Sequence, residues 1–380
     1  MPHPTVPRTT CPGAAAPPET GPAHFAQRLV DWQRTFGRHD LPWQVRDPYR
    51  VWLSEIMLQQ TQVSVVMGYF ARFTARFPTV QALAEAPQDA VLAAWSGLGY
   101  YRRARYLHQC AQQVVQRYGG RFPSSAAELV TLPGIGPSTA AAIAAFCFDE
   151  RAAILDGNVQ RVLCRSHGIA DPLPSATTTR RLWALARALL PEADAIAAYT
   201  QGLMDLGATV CKPRQPACEQ CPFAADCQAR RGGDPQRLPV RAAAARARPV
   251  HHTVMLWLHQ PGRDDCWLEQ RGHDGVWPGL WSLPLFDTQE LALAYAARHG
   301  SVLGLKALAP FRHGFTHFEL VVQPLQVALL PQPHAAENAA AAGQWVARSE
   351  AAQRGLPAPV RKLLSRGLAL QDPPQQALLE

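Results

Sequence analysis

The chain has 380 residues, 47% of them hydrophobic and 17% charged, so it can bury more than one apolar core and is expected to form two or three globular domains. Its 37 Lys and Arg residues outnumber its 29 Asp and Glu residues. The resulting net charge of +8 suits a polyanionic partner, although a genomic base bias toward Arg, Ala and Pro would also produce it. No segment resembles a membrane span, which excludes an integral membrane protein.

The spacing of apolar residues divides the chain into a helical region and a mixed region. Residues 1–22 are Pro-rich and lack the apolar core of a signal peptide, so we predict a disordered tail. Between 23 and 230 the three-four spacing predicts an all-helical domain without a sheet. The predicted helices cover 23–36, 49–59, 63–76, 88–97, 101–118, 125–130, 137–147, 157–167, 178–189 and 194–207.

The C-terminal part has a different periodicity. A basic stretch with Gly and Pro, 231–249, predicts an interdomain linker. Beyond it, strands and helices alternate in a pattern that predicts an α+β domain over 250–370, followed by a tail at 371–380. The predicted strands are His251–His259, Cys266–Gln270, Leu320–Leu329 and Gln344–Val346, with helices near 288–299 and 357–367.

The helix over 49–59 carries a carboxylate, Glu55, among large apolar side chains. Burial raises the pKa of a carboxyl group, which keeps a proton available near neutral pH and makes Glu55 a candidate general acid. The alternative is a surface Glu paired with an Arg. Gln59, one turn later on the same face, and Gln60 could hydrogen-bond base edges or fill the space left by an extruded base.

The segment 97–105 combines a Gly-rich turn containing Leu98, the aromatic residues Tyr100 and Tyr101, and three arginines, Arg102, Arg103 and Arg105. Aromatic side chains stack on bases and arginines reach phosphates, so this segment is typical of a wedge that enters a DNA groove. The alternative is a core aromatic residue followed by a solvated basic helix.

Residues 132–140 read Leu-Pro-Gly-Ile-Gly-Pro-Ser-Thr-Ala, a pattern typical of a helix-hairpin-helix element at 125–147. Gly134 and Gly136 permit a tight turn whose backbone amides form an anion-binding nest, and Pro137 suits the first position of the next helix. The helix N-terminus adds to the attraction for phosphate. An ordinary helix-helix turn is the alternative interpretation.

Asp156 follows this hairpin in the sequence Leu-Asp-Gly-Asn-Val. Its position before a predicted helix marks it as an N-cap. Capping is compatible with a catalytic role, because a capped carboxylate is rigid and ionised and can lie beside a sugar.

Four of the nine cysteines lie between residues 211 and 227, with prolines between them that favour tight loops. This clustering is typical of metal ligation in a reducing compartment. Four thiolates suit zinc or an iron-sulfur cluster, and the spacing alone does not choose between them. The candidate ligands are Cys211, Cys218, Cys221 and Cys227.

Together these motifs resemble the helix-hairpin-helix DNA glycosylase superfamily and, from about Phe25 to the C-terminal domain, its MutY-type adenine glycosylases. The motifs that carry the resemblance are 41–43, 52–63, 97–101, 132–140, 154–159 and 204–208. The resemblance implies a 4Fe-4S cluster rather than zinc, and excision of adenine from double-stranded DNA where it is mispaired with 8-oxoguanine or guanine. It also implies a monomeric, cytoplasmic, nucleoid-associated bacterial enzyme.

The same resemblance implies a role for each matching residue. Glu55 would protonate adenine N7, Asp156 would stabilise the oxocarbenium ion or bond transiently to the sugar, and Asn158 would hold Asp156. The residues around the flipped base would be Trp43, Gln44 and Gln201, and those near the orphan base Gln60, Leu98 and Tyr100.

Ser138 separates this chain from the sibling endonuclease III family, which has a lysine at that hairpin position. A serine cannot form an imine, so the resemblance implies a monofunctional glycosylase. A bifunctional glycosylase/lyase and a non-catalytic or redox-sensing DNA-binding cluster protein are the alternatives.

The C-terminal region resembles the NUDIX-like domain of adenine glycosylases, on the residues 277–284 and 311–318. No Glu-rich helix of the magnesium-binding kind follows Pro284, so nucleotide hydrolysis is not expected. The residues implied in 8-oxoguanine recognition are Phe315, Thr316 and His317, with Thr in the place of the family's Ser.

Overall fold

The computed structural model describes residues 21–241, 248–272, 274–331, 343–351 and 353–366. The chain forms two compact units: the first contains residues 1–39 and 149–242, and the second contains residues 40–148 and 243–380. Residues 40–148 of the predicted helical domain group with the C-terminal strands in this division, and the rest of that domain lies in the first unit. Apart from residues 21 and 22, the two predicted tails lie outside the described residues.

Twelve helices precede the strands in the described residues, together with short 3₁₀ turns and a π-helical turn at Leu206–Val210. They are α1 Pro22–Phe36, α2 Pro48–Leu58, α3 Val63–Arg76, α4 Val80–Glu85, α5 Gln88–Trp95, α6 Arg102–Tyr118, α7 Ala126–Leu129, α8 Pro137–Phe148, α9 Gly157–Ser166, α10 Ala176–Ala188, α11 Ile196–Asp205 and α12 Gln228–Arg231. None of the described helices is long and apolar enough to cross a membrane.

Capping residues account for where several of these helices begin. The side chain of Asp47 accepts from the Tyr49 amide at the start of α2, and Ser125 accepts from the Glu128 amide at the start of α7. Helix α4 was not predicted. It is a six-residue helix whose start is capped by the Thr79 side chain, and it is too short to show an apolar period of its own.

The C-terminal region contains β1 Val250–His259, β2 Asp265–Gln270, β3 Trp281–Ser282, β4 Leu285–Phe286, α13 Gln289–Ala297, β5 Gly300–Ala307, β6 Phe311–Gly314, β7 Glu319–Pro331, β8 Gly343–Ala347, α14 Arg348–Ala351 and α15 Ala358–Arg366. The predicted α+β class is confirmed. A five-stranded sheet has the order β4-β1-β7-β5 with β6 also paired to β7, and a second sheet has the order β3-β2-β8. The long β1 and β7 run parallel.

Strands β3, β4, β5 and β6 were not predicted from the sequence, and β3 and β4 have only two residues each. Strand β5 contains Gly300 and Gly304, and the side chains after Gly300 are exposed, so it shows no alternation of buried and exposed positions. Its position comes from pairing with β7, which joins it from Gly300 to Ala307 across a register shift near Gly304.

Large apolar side chains of the second unit form two clusters, a smaller one among residues 256–329 and a larger one shared by helices and strands. Trp52, Phe70, Phe73 and Trp95 are fully buried in its helices. The same apolar cluster continues into the C-terminal residues 255–364. The helices of residues 40–148 are consequently one packed body with the two sheets.

The segment predicted as a linker is ordered as far as Arg241 and packs within the first unit. Leu173 donates its amide to the carbonyl of Val240 at 2.8 Å, and Arg165 donates to the carbonyl of Leu238 at 2.9 Å. Residues 242–247 of the predicted linker lie outside the described residues.

Candidate active site and metal-binding loop

Asp156 lies in the first unit at the N-terminus of α9. Its Oδ1 accepts a hydrogen bond from the Val159 amide at 2.7 Å, so the predicted N-cap is present. Burial raises the pKa of Asp156, while the backbone amides of Val159 and Asn158 and the charge of Arg161 act in the opposite direction. The carboxylate is therefore oriented and partly dehydrated at once.

Asn158 is held by an arginine that sequence reasoning did not single out. Arg161 donates from Nη2 to Asn158 Oδ1 at 2.8 Å and to the Gly207 carbonyl at 2.6 Å, and from Nε to the Cys211 carbonyl at 2.7 Å. A Cβ on Gly207 would lie 2.6 Å from Asn158 Cβ, so this close approach requires glycine. Arg161 thus connects the first turn of α9 to the start of the cysteine loop.

Gln201 lies on α11, where a buried ion pair that the sequence did not reveal sets its orientation. Its Nε2 donates to Asp205 Oδ1 at 2.8 Å, and Asp205 also accepts from Arg38 Nε at 2.7 Å. Because an ionised carboxylate only accepts hydrogen bonds, the Gln201 amide nitrogen must face Asp205. The only available signal was the Met-Asp-Leu-Gly-Ala motif at 204–208.

The four predicted ligands Cys211, Cys218, Cys221 and Cys227 line one pocket of the first unit together with Arg165 and Arg230. Among the described residues, no group of three or more Cys, His, Asp or Glu side chains is arranged to hold a single metal ion. Burial raises the pKa of the Cys221 thiol to about 12. The donor set and the shared cavity fit a thiolate-ligated cluster.

Arg165 of α9, which was not predicted as a site residue, supports this loop from the interior of the unit. It is 2% exposed and donates to the carbonyls of Lys212 at 2.7 Å and Pro213 at 3.1 Å. Its Nη1 lies 3.4 Å from Cys211 Sγ. From outside, the Phe25 ring stacks on Phe223 at 4.0 Å.

Glu55 lies in the second unit, half-buried on α2 between the buried residues Ser54 and Ile56. Helix α2 ends at Leu58, Gln59 is its C-cap, and Gln60 follows in a left-handed conformation with φ of 57°. Gln60 is exposed. A left-handed conformation costs energy for a residue with a Cβ, and such strain is concentrated at functional sites.

Tyr100 resembles Gln60, with φ of 49° and a side chain that is 53% exposed. Leu98 differs, because it is 6% exposed and part of the core. Insertion of Leu98 into a duplex would require the turn at Gly97–Gly99 to move.

Arg103 joins these two turns. It donates to the carbonyls of Ile56, Met57 and Gln59 at 2.9, 2.9 and 2.6 Å, and to that of Leu98 at 3.1 Å. Burial lowers its pKa to about 10. The prediction that all three arginines of this segment reach phosphate is therefore wrong for Arg103, whose Nη1 and Nη2 donate to backbone carbonyls inside the protein.

The helix-hairpin-helix element consists of α7, the turn and α8. Gly134 has φ of 76°, and a Cβ there would lie 2.7 Å from Tyr106 Cβ. Gly136 is exposed, and a Cβ there would meet nothing within 4 Å, so the fold itself does not require glycine at 136. Pro137 begins α8 as predicted, and Ser138 is half-buried in its first turn.

The other predicted base-pocket residues in the second unit are Trp43 and Gln44. Trp43 is 7% exposed and packs edge-on against Phe70 at 5.3 Å. The side-chain oxygen of Gln44 accepts from the Leu41 amide at 3.0 Å. Both side chains are thus fixed by their own unit.

The predicted lesion-reading loop follows β6. Phe315 stacks on Phe318 at 4.5 Å, and its amide donates to the Phe318 carbonyl at 2.8 Å. Thr316 and His317, at the tip of this turn, are exposed. The second unit therefore contains Glu55, the hairpin, the two strained turns and this loop, whereas Asp156, Asn158, Gln201 and the four cysteines belong to the first.

Comparisons with known proteins identify two domain families in the chain. A model of the HhH-GPD superfamily of base excision DNA repair proteins matches residues 53–188, and a NUDIX domain model matches residues 253–366. The fold and these matches define a DNA glycosylase with a helix-hairpin-helix domain and a NUDIX-like C-terminal domain.

The similar proteins extend over most of the chain. The adenine DNA glycosylase of Buchnera aphidicola subsp. Baizongia pistaciae is 33% identical over 344 residues, which cover 90% of this chain and 96% of that protein. The adenine DNA glycosylase of Homo sapiens is 33% identical over 372 residues, covering 80% of this chain and 67% of that protein. A solved thermostable thymine-DNA glycosylase is 29% identical, covers 55% of this chain and 95% of its own, and has a TM-score of 0.49. The chain belongs to the adenine DNA glycosylase family.

Proposed function

We propose that the protein removes adenine paired with 8-oxoguanine or guanine from double-stranded DNA by hydrolysing the N-glycosidic bond. The observation that carries this proposal is Asp156, whose half-buried carboxylate is oriented by the Val159 amide. A rigid negative charge in a poorly hydrated setting stabilises a cationic sugar better than a solvated carboxylate does. The similarity to adenine DNA glycosylases supports adenine as the base.

In the proposed reaction, Glu55 protonates N7 of the extruded adenine, and the C1′–N9 bond breaks with its electron pair moving to N9. Asp156 stabilises the oxocarbenium ion or bonds transiently to C1′, and Asn158 helps to hold Asp156. Water then adds to C1′ and returns a proton to Glu55, which leaves free adenine and an abasic site.

Binding of the substrate is assigned to the remaining site residues. Trp43, Gln44 and Gln201 are proposed to surround the extruded base, and Gln59, Gln60, Leu98 and Tyr100 to contact the duplex it leaves. The strained backbone of Gln60 and Tyr100 supports this assignment. Gly134 and Gly136 are proposed to bind a phosphate, and the open space around Gly136 leaves room for its close approach.

We also propose that Cys211, Cys218, Cys221 and Cys227 hold a 4Fe-4S cluster. The pocket that the four cysteines line together and the chemistry of four sulfur donors support this assignment. When bound, the cluster would supply four iron–sulfur bonds that fix residues 211–227 in one conformation. Arg165 would donate toward the sulfur of Cys211.

Single-turnover excision from duplexes with adenine opposite 8-oxoguanine, guanine or cytosine tests the reaction. We expect release of adenine from the first two and loss of chemistry in Asp156→Asn, which keeps the capping geometry. Undiminished excision by Asp156→Asn would refute the mechanism.

The monofunctional character is tested at Ser138. Borohydride traps the imine that a lysine forms with the sugar, so wild-type protein should give little trapped product. Ser138→Lys is the matched variant and should give more. Abundant trapping by the wild type would favour a bifunctional glycosylase/lyase.

Recognition of 8-oxoguanine is assigned to Phe315, Thr316 and His317. Substituting Phe315 and His317 with Ala should lower excision opposite 8-oxoguanine more than excision opposite guanine. An equal loss on both substrates would contradict the assignment.

A further inference from the structure

Helix α6 connects the helical part of the second unit to its C-terminal domain through Arg105. Arg105 Nη1 donates to the carbonyl of Pro278 at 2.6 Å. A Cβ added to the adjacent Gly279 would lie 3.7 Å from the same nitrogen, so the backbone of residues 278–279 passes close to the guanidinium group. Burial and the neighbouring charge of Arg102 lower the pKa of Arg105, as expected for a cation turned into the protein.

The residue before Pro278 is a strained tryptophan. Trp277 is 6% exposed and has φ of 53°, a left-handed conformation that bulky residues rarely adopt. Its ring lies 6.0 Å from that of Phe315 and 5.6 Å from that of His313, and these two rings are 4.8 Å apart. A continuous path of contacts therefore runs from Arg105 through the 277–278 peptide to the loop at 315–317.

The beginning of the same helix is bound to the two strained turns. Arg103, two residues before Arg105, donates to the carbonyls of Gln59 and Leu98. Tyr101, next to Tyr100, donates its hydroxyl to the Leu356 carbonyl at 2.7 Å. The first turn of α6 thus contacts the turns at Gln60 and Tyr100 on one side and the C-terminal domain on the other.

We propose that Arg105 is a positioning residue that holds Trp277 and Phe315 in register with the turns at Gln60 and Tyr100, and so makes excision depend on the base opposite adenine. The inference rests on the proposed reading of 8-oxoguanine by residues 315–317. Without the Arg105 bond, the 277–278 segment relaxes from its strained conformation and the Phe315 ring loses its support. The loop then contacts the opposite base without holding the turns at Gln60 and Tyr100 in place.

The measured quantity is the ratio of single-turnover excision rates opposite 8-oxoguanine and opposite guanine. Arg105→Met keeps the length of the side chain and removes its donors, and we expect the ratio to fall about tenfold, the effect of one charge-assisted hydrogen bond. Arg105→Gln removes the charge but keeps a donor, so its ratio should lie between those of Arg105→Met and the wild type. This rescue separates the hydrogen bond from a general effect of charge.

Arg102→Met is the matched control. Arg102 is an exposed arginine on the same helix turn, and its guanidinium donates to the Tyr106 hydroxyl. Loss of a charge that only attracts phosphate changes both rates by the same factor, so the ratio should stay at the wild-type value. Thermal unfolding of each variant shows whether it folds.

The outcomes separate the inference from the proposed function. If Phe315→Ala lowers the ratio and a folded Arg105→Met does not, the positioning role of Arg105 is refuted while the lesion-reading loop stands. If the wild type excises adenine from neither duplex, the proposed function fails, and if it excises both at the same rate, the assignment of 8-oxoguanine recognition to residues 315–317 fails. If the Phe315→Ala and Arg105→Met double variant is no worse than the more affected single variant, both residues act along one path, whereas fully additive losses would overturn the inference.

Discussion

At Asp156 two requirements act on one side chain. The N-terminus of α9 needs an acceptor for the Val159 amide, and a stabilising carboxylate needs a rigid position with little water around it. The second requirement conflicts with ionisation, since burial raises the pKa of Asp156. Its amide neighbours and Arg161 offset part of this cost without removing it.

Asp156→Asn should therefore leave the unfolding temperature at neutral pH unchanged or raise it. Asparagine caps a helix as well as aspartate does and carries no buried charge. Because the folded-state pKa of Asp156 is raised, its ionised form reduces stability at neutral pH. This penalty decreases as the pH falls through the folded-state pKa and is gone below the unfolded-state pKa. Thermal unfolding of both proteins from neutral to acid pH should show the two curves converging. A less stable Asn variant at neutral pH would contradict this reading.

The arginines of α6 show that the sequence does not reveal the binding partner of a side chain. Their spacing is equally suitable for binding phosphate or for binding carbonyl groups, since guanidinium groups bind both. Only the packing of α6 against α2 and the C-terminal domain directs Arg103 to the carbonyl of Gln59 and Arg105 to that of Pro278.

At the scale of elements, the hairpin uses its two glycines differently. The left-handed φ of Gly134 and its contact with Tyr106 are requirements of the fold. Gly136 has neither feature, so the space beside it is available to a ligand.

We expect Gly134→Ala to reduce the free energy of unfolding by about 1–3 kcal/mol, through strain and the clash with Tyr106. Gly136→Ala should leave stability nearly unchanged and weaken binding to duplex DNA. Chemical denaturation and DNA titration of both variants measure this contrast. Equal stability loss in the two would show that Gly136 also has a structural role.

The cysteine loop is a second element whose geometry depends on a residue outside it. Arg165 provides donors to the Lys212 and Pro213 carbonyls, so the start of the loop is held by α9. Arg165→Met should lower the iron content and visible absorption of purified protein and speed their loss under a chelator. Arg181→Met, which removes an exposed arginine of α10, is the control and should retain iron like the wild type.

At the scale of the whole molecule, the compact units do not follow the change from helices to strands. Helices α2 to α8 belong with the C-terminal sheets, and buried Ser96 donates to the Leu356 carbonyl at 3.0 Å. Asp89 accepts from Trp281 Nε1 at 3.0 Å and from Gln270 at 3.0 Å. Separating the C-terminal domain would expose this shared apolar surface.

A chain ending at residue 241 should accordingly unfold at a lower temperature than the full chain. Loss of the partner of Ser96 alone costs about 1–3 kcal/mol, and the exposed apolar surface adds to it. The shortened chain should also lose its preference for adenine opposite 8-oxoguanine. Full-length Asp89→Ala, which removes only two hydrogen bonds, should be destabilised less. A shortened chain as stable as the intact one would contradict the shared core.

The local elements could be predicted from the sequence, since helical periodicity, N-caps such as Asp156, the hairpin glycines and the cysteine cluster are encoded by neighbouring residues. The helical and α+β regions could also be predicted, because their apolar periods differ. The elements that were not predicted are too short or too exposed to show a period of their own; they are α4, α12, α14, β3, β4, β5 and β6.

The directions of Arg103, Arg105 and Arg161, the burial of Leu98 and the pairing of Arg38 with Asp205 were visible only in the folded chain. The tertiary structure also decided that residues 40–148 join the C-terminal sheets. Each of these depends on contacts between residues far apart in the chain, and such contacts arise from the packing of complete elements. The pattern of neighbouring residues does not contain them.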